Sequence, residues 1–244
     1  MWRQSPETFP HRPFTIFGSG FCIRPEGVVI TCEHVFKAFV DPASYQPLMQ
    51  AIGQTDGQSV SAKSIAPHAM FYSGVHGTEI HMDAVSVATG VAMKDFVLAA
   101  LKLHEHPAFP QGYPTLAIAD YRELHEMMEV ATCGFPLGET LHDQMGTVTS
   151  SFTKGMISSI TPAPGIACEH VRGFQLDLTA TNGNSGGPVF SLATGGVFGV
   201  LQRGVVHPDG HIVQGLTKAE PIYPLFDTDL VDRLARGLHV PGPR

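Results

Sequence analysis

Charge is scarce in this sequence. Only 15% of its residues are charged, against about 25% in an ordinary soluble domain. Lysine is rarest: Lys37, Lys63, Lys94, Lys102, Lys154 and Lys218 are the full set, and none sits in a basic run. The 15 Lys and Arg are outnumbered by 22 Asp and Glu, for a net charge of −7. Nucleic acid is held by clustered cations that release counterions, so this balance argues against such a partner. Long apolar runs are missing too. None approaches the roughly 18 residues a membrane helix needs, so no membrane partner is expected. The opening residues Met1 to Glu7 lack the apolar stretch of a secretion signal. The chain therefore reads as soluble and unexported. Cysteine is sparse: Cys22, Cys32, Cys133 and Cys168, with no CxxC pair. That is no disulfide framework, and buried reduced thiols are expected. What the sequence has in plenty is turn formers, 26 Gly and 19 Pro. With 43% hydrophobic residues over 244, it can still bury a sizeable core.

The pattern along the chain is that of short strands. Residues 1–13 are polar with three prolines and read as a tail. Phe14 to Ile23 form an extended run interrupted by Gly18-Ser19-Gly20. Arg24-Pro25-Glu26-Gly27 is a turn, and Val28 to Cys32 return as its β-branched hairpin partner. Counting back from the turn pairs Ile23 with Val28 and Cys22 with Val29, so this hairpin does not bridge Cys22 to Cys32. Glu33 to Phe39 suit a short helical turn. The apolar run Asp95 to Leu103 fits a buried strand or a helix, and periodicity alone does not separate the two. Further strands fit 128–136, 144–150, 154–161, 171–179, 187–191, 196–203 and 211–216. Strands at this spacing with turns between them mean an all-β sandwich or barrel pair. A helix closes the chain, capped by Asp227, striped by Leu230, Leu234 and Leu238, and stopped at Gly237.

One segment is poorly explained by packing: Thr181-Asn182-Gly183-Asn184-Ser185-Gly186-Gly187-Pro188-Val189-Phe190. A serine between glycines, after a polar loop and before an apolar strand, suits a tight turn and close approach to a ligand. Such a loop can aim the Gly183 and Ser185 amides at one point, as an oxyanion hole requires. Serine is a weak nucleophile, so it needs a base, and the base needs an orienting carboxylate.

Matching segments lie upstream. Gly18-Ser19-Gly20-Phe21 followed by Val29 to Val35, then Asp95 to Leu103, then Gly183 to Pro188 stand in the order His, Asp, Ser. In these motifs the chain resembles the trypsin-like serine peptidases of chymotrypsin fold. It is most similar to the bacterial HtrA-like and glutamyl-endopeptidase-like branches. Gly134-Phe135-Pro136 with Gly155 to Ser158, and Gly199 to Gly204, are weaker matches.

The resemblance implies two antiparallel six-stranded β-barrels with the site in the cleft and a short C-terminal helix. Residues 14–108 would form the first barrel, 109–226 the second, and 227–244 the helix and tail. A boundary near 104–115 fits the turn residues there. No second peptide-binding module of the HtrA kind is expected within these residues. The implied triad is His34, Asp95 and Ser185, with Gly183 and Ser185 as oxyanion donors. The chain has 13 histidines, but His34 alone follows a β-branched strand after the Gly-Ser-Gly-Phe run. Asp83 competes with Asp95 but precedes a shorter, less apolar run. Asp177 reads as a strand or turn residue near the site. His104 and His106 suggest metal ligands, but no third ligand accompanies them, so no metal or other cofactor is expected.

By the same resemblance, Thr179 and Ala180 begin the specificity pocket. Leu201, Gln202, Arg203 and Gly204 lie on the strand that binds substrate backbone, and Leu216 lies near the far wall. The pocket lacks an Asp for Arg or Lys. Leu201 stands where glutamyl endopeptidases carry a histidine. A small neutral pocket implies cleavage after Ala, Val, Leu or Met. Arg203 replaces an aromatic and is expected to face outward. Asn184 precedes the nucleophile where digestive relatives use Asp, so activation by a newly cut N-terminus is not expected. The missing disulfides imply a reducing, bacterial cytoplasm. The expected partner is a protein or peptide substrate. The rival reading is a latent or non-catalytic module of the same fold, controlled by a regulatory partner.

Overall fold

A computed structural model describes residues 18–40, 68–73, 76–83, 98–136, 150–162, 171–210, 212–226 and 229–238. The chain begins with a hairpin, β1 (Phe21–Arg24) and β2 (Val28–Cys32), joined by the expected turn. Gly27 takes a φ of 91°, and its N–H donates to the Arg24 carbonyl at 2.9 Å. Helix α1 (Glu33–Val40) follows β2 directly and is longer than the single turn expected. Strands β3 (His68–Ser73), β4 (His76–Asp83) and β5 (Leu98–Leu103) complete a five-stranded sheet ordered β1-β2-β5-β4-β3.

One expected register is corrected. Cys22 does pair with Val29, but Arg24 rather than Ile23 stands opposite Val28. Ile23 is the extra residue of a bulge. Cys22 and Ile23 are buried in different clusters on the two sides of the sheet, and Arg24 reaches Asp232 at 3.2 Å. The ambiguous apolar run resolves as a strand for a related reason. Leu98 and Ala100 join one cluster, while Ala99, Leu101 and Leu103 join the other, so β5 is buried on both faces.

The second half is a closed barrel of β6 (Glu129–Gly134), β7 (Ser151–Pro162), β8 (Val171–Leu176), β9 (Pro188–Ser191), β10 (Val197–Val206) and β11 (Ile212–Pro221). Its order is β10-β11-β8-β7-β6-β9. The two halves therefore differ: among the described residues only the C-terminal half closes as a six-stranded barrel. The expected strand at 144–150 lies almost wholly outside the described residues.

Strand β10 joins the halves. Phe198 and Leu201 fill the barrel interior, while Val197 and Val200 pack with Ile30, Cys32, Leu98 and Ala100 of the N-terminal sheet. The stretch between the halves, His104 to Ala117, has no regular structure. It is tied to both sides: Leu116 N–H donates to the Cys22 carbonyl, and Val197 N–H donates to the Ala117 carbonyl.

Helix α2 (Leu230–Ala235) returns to the N-terminal sheet and buries Leu230, Val231 and Leu234. Leu238 is half exposed and does not extend this stripe. The stop at Gly237 holds, with Leu238 N–H on the Arg233 carbonyl and Gly237 N–H on that of Leu234. The N-cap position belongs to Asp229, and Asp227 lies outside the described residues.

Candidate active site

The loop that carries Ser185 runs from the end of β8 to the start of β9. Gly183 and Gly186 hold φ angles of 97° and 90°, which side chains rarely adopt. Asn184 N–H bonds to the Thr181 carbonyl, and Gly187 N–H to that of Asn184. These bonds close the two tight turns that carry Ser185. Its hydroxyl is half-buried and donates to the Gln202 carbonyl at 2.8 Å.

Three chain segments meet here. The Leu201 carbonyl accepts the Gly186 N–H at 2.8 Å and the Cys32 thiol at 3.2 Å. One oxygen on β10 thus joins the Ser185 loop to the end of β2. His34 stands two residues beyond Cys32, in the first turn of α1. It is exposed, yet its pKa is lowered from the ordinary imidazole value. Desolvation by the surrounding protein is the main cause, and the Arg203 guanidinium adds to it, while Glu33 opposes. Arg203 is therefore within electrostatic reach of His34. A neutral imidazole is the form that can take a proton.

Ser19 is a residue of this candidate site to which the sequence reading gave no role. It is 4% exposed, and each of its polar groups is engaged. Its hydroxyl donates to the Gly183 carbonyl at 2.7 Å and accepts the Phe135 N–H at 3.1 Å. Its N–H donates to the Ser185 carbonyl at 2.8 Å, and its own carbonyl accepts the Thr31 hydroxyl at 2.7 Å. One residue from the N-terminal half thereby holds the loop on both sides of Asn184, by its side chain at Gly183 and its backbone at Ser185. The available signal was Gly18-Ser19-Gly20, the same serine-between-glycines pattern as the nucleophile. Gly134 also gains a reason. A side chain there would start 2.7 Å from Asn184 Oδ1 and 2.9 Å from Ser19 Oγ.

Asn184 is buried, and its Oδ1 has no hydrogen-bond partner. Burial pushes the Cys32 thiol up to about 12, which suits a packed thiol and not a nucleophile. Cys22, Cys32 and Cys133 are free, and Cys168 lies outside the described residues.

The other expected site residues divide. Asp95 lies outside the described residues. Gln202 bonds Ser185; Arg203 and Gly204 follow it along β10, and Arg203 is exposed, as expected. Thr179 is exposed and Leu216 half-buried. Ala180 and Leu201 are buried together in the barrel core, at 3% and 0% exposure. Neither of those two side chains offers an open wall to a substrate, which departs from the expected pocket. Asp177 is an exposed residue beside Gly215 of β11. Asp83 ends β4 opposite Lys102. His106 Nδ1 accepts the Ala108 N–H. Among the described residues no three His, Cys, Asp or Glu groups are placed to share a metal ion.

Comparison with known proteins decides the family. The model of the trypsin-like peptidase domain matches residues 18–200. The chain belongs to the trypsin-like peptidase domain family. A relative named a probable periplasmic serine endoprotease DegP-like, from Bartonella henselae, is 27% identical over 230 residues. That match takes in 92% of this chain and 36% of the relative. The HtrA-type protease AlgW, solved with a decapeptide, superposes with a TM-score of 0.55 at 18% identity. The alignment covers 90% of this chain and 52% of that one. A variant of the same protease, also with a decapeptide, gives a TM-score of 0.53 over 84% and 47% of the two chains. The chain thus spans about a third of the curated relative and about half of the solved structures.

Proposed function

We propose that this trypsin-like peptidase domain is a serine endopeptidase, with Ser185 as nucleophile, His34 as general base and Asp95 as the carboxylate that orients His34. Ser185 Oγ attacks the scissile carbonyl as His34 takes its proton. The tetrahedral oxyanion settles on the Gly183 and Ser185 amides, and His34 returns the proton to the leaving amine. Water then repeats the sequence on the acyl-enzyme. The observation that carries this reading is Ser185 held between two positive-φ glycines, its hydroxyl at the half-buried junction where β2, α1 and β10 converge. The N-terminal sheet is read as part of a second barrel. The substrate is a polypeptide cleaved after small or medium apolar residues. Free Cys22, Cys32 and Cys133 support work in a reducing cytoplasm.

The test is labelling by a fluorophosphonate probe together with cleavage of a peptide library. Ser185→Ala should abolish both, with a loss on the order of 10⁴-fold or more in rate. Equal cleavage by that variant would end the serine-peptidase reading, and dominant cleavage after Glu or Asp would end the apolar preference.

A second reading, a latent domain switched on by a partner or ligand, is favoured by one observation. The Ser185 hydroxyl proton lies on the Gln202 carbonyl. A side-chain rotation must redirect it before His34 can act. Labelling that requires added peptide or cell lysate supports latency, and full labelling of the purified chain refutes it.

A further inference from the structure

Arg203 and Lys218 stand directly opposite each other on β10 and β11. One step earlier, Leu201 pairs with Ala219, and both fill the barrel interior. A register shift between Leu201 and Arg203 then brings the two cations to the outer surface, where both are exposed. Side chains directly opposite in an antiparallel pair have Cβ atoms about 5 Å apart, and like charges so placed destabilise the sheet. The row continues through Gln175 of β8, opposite Lys218, and Ser159 of β7, opposite Gln175. It contains no carboxylate, and among the described residues no acidic group pairs with either cation. Glu220, two residues from Lys218 on β11, lies on the same face, and its field also reaches Cys32. Two cations without an ion-pair partner among the described residues are thus held side by side in a chain of net charge −7. They begin one residue after Gln202, whose carbonyl holds the Ser185 hydroxyl.

The geometry points to Arg203 and Lys218 as an anion-reading subsite for an acidic side chain of the substrate, two to four residues before the cleaved bond. This deepens the peptidase reading and rests on it, because the acyl side of the substrate is taken to lie along β10. Both cations are exposed, so the acid is met on the open flank of the cleft and not inside the pocket that takes the residue at the cleaved bond. A guanidinium beside an ammonium suits one carboxylate, with Arg203 supplying a planar fork and Lys218 a point charge. An anion bound there would also remove the repulsion between the two cations.

The probe is a set of short fluorescent peptides with valine before the cleaved bond and either Glu or Gln at each of the preceding positions. Two quantities are read: kcat/KM with the native chain, and affinity for Ser185→Ala by fluorescence anisotropy. At one position the Glu peptide should be preferred about five- to tenfold, and the preference should shrink as salt rises. Arg203→Gln and Lys218→Gln should each reduce the ratio, and the double variant should bring it near one. Arg203→Glu should turn the preference toward Lys at that position. Equal ratios at every position, or a preference that survives the double variant, overturn the inference. If Ser185→Ala binds the peptides but the native chain cleaves none, the peptidase reading fails. The anisotropy ratios then still decide whether the cationic pair reads an acid.

Discussion

Ser19→Ala is the most informative single change, because it tests whether the N-terminal half holds the nucleophile loop in shape. The substitution removes one oxygen and leaves two partners behind. The Gly183 carbonyl loses its donor at 2.7 Å, and the Phe135 N–H loses its acceptor at 3.1 Å. An orphaned buried group costs about 1–3 kcal/mol. Gly183 and Phe135 are only half-buried, so the lower end applies to each, and the sum is about 2 kcal/mol. For a chain of this size that is a fall in Tm of about 4–8 °C. The backbone bond from Ser19 N–H to the Ser185 carbonyl survives, so the loop should loosen at Gly183 more than at Ser185. An oxyanion donor that drifts by a fraction of an ångström loses much of its effect, and fluorophosphonate labelling should slow by about tenfold or more. The assay is thermal melting and labelling rate, side by side with Ser158→Ala, an exposed serine on β7 that should change stability by less than about 0.5 kcal/mol. If Ser19→Ala melts and labels like that control, Ser19 is not the clamp described.

Gly186→Ala should be worse, because Gly186 has a φ of 90° and a Cβ there would collide with the Ser19 carbonyl and the Thr31 hydroxyl. A loss of about 3 kcal/mol or more in a denaturant melt is expected, and a variant as stable as the native chain would refute the packing argument. The rate of labelling against pH should show an acid limb set by His34, which desolvation and Arg203 push toward the neutral form. Protonation at lower pH removes the base, and Arg203→Gln should move the limb upward; a limb that stays put or falls in that variant contradicts this sign. Cys32, buried and pushed up to about 12, should resist iodoacetamide in the native state at mildly alkaline pH. Denaturation should release four titratable thiols, counting Cys168 with the three free cysteines, and native modification of Cys32 would show the site to be more open than described.

Much of this protein was legible in local pattern. The Arg24-Pro25-Glu26-Gly27 turn needs only a fixed proline φ and a positive-φ glycine, so the first hairpin could be placed from sequence. The Gly-Asn-Ser-Gly-Gly motif pointed to a tight loop because glycine alone tolerates such angles. The Gly237 stop was equally local. Tertiary structure decided the rest, because it depends on what covers each face. The run from Leu98 to Leu103 became a strand only because separate clusters bury its alternate residues. Leu201 went into the barrel core instead of a pocket wall for the same reason, since β10 is packed on both sides. The hairpin register slipped by one residue at Ile23, because a bulge is set by the pairing of both strands and not by the turn alone. Ser19 could not be read as a clamp, because its partners Gly183 and Phe135 lie more than a hundred residues away in sequence. The pairing of Arg203 with Lys218 was hidden likewise, since cross-strand register is set by barrel closure and not by either strand alone.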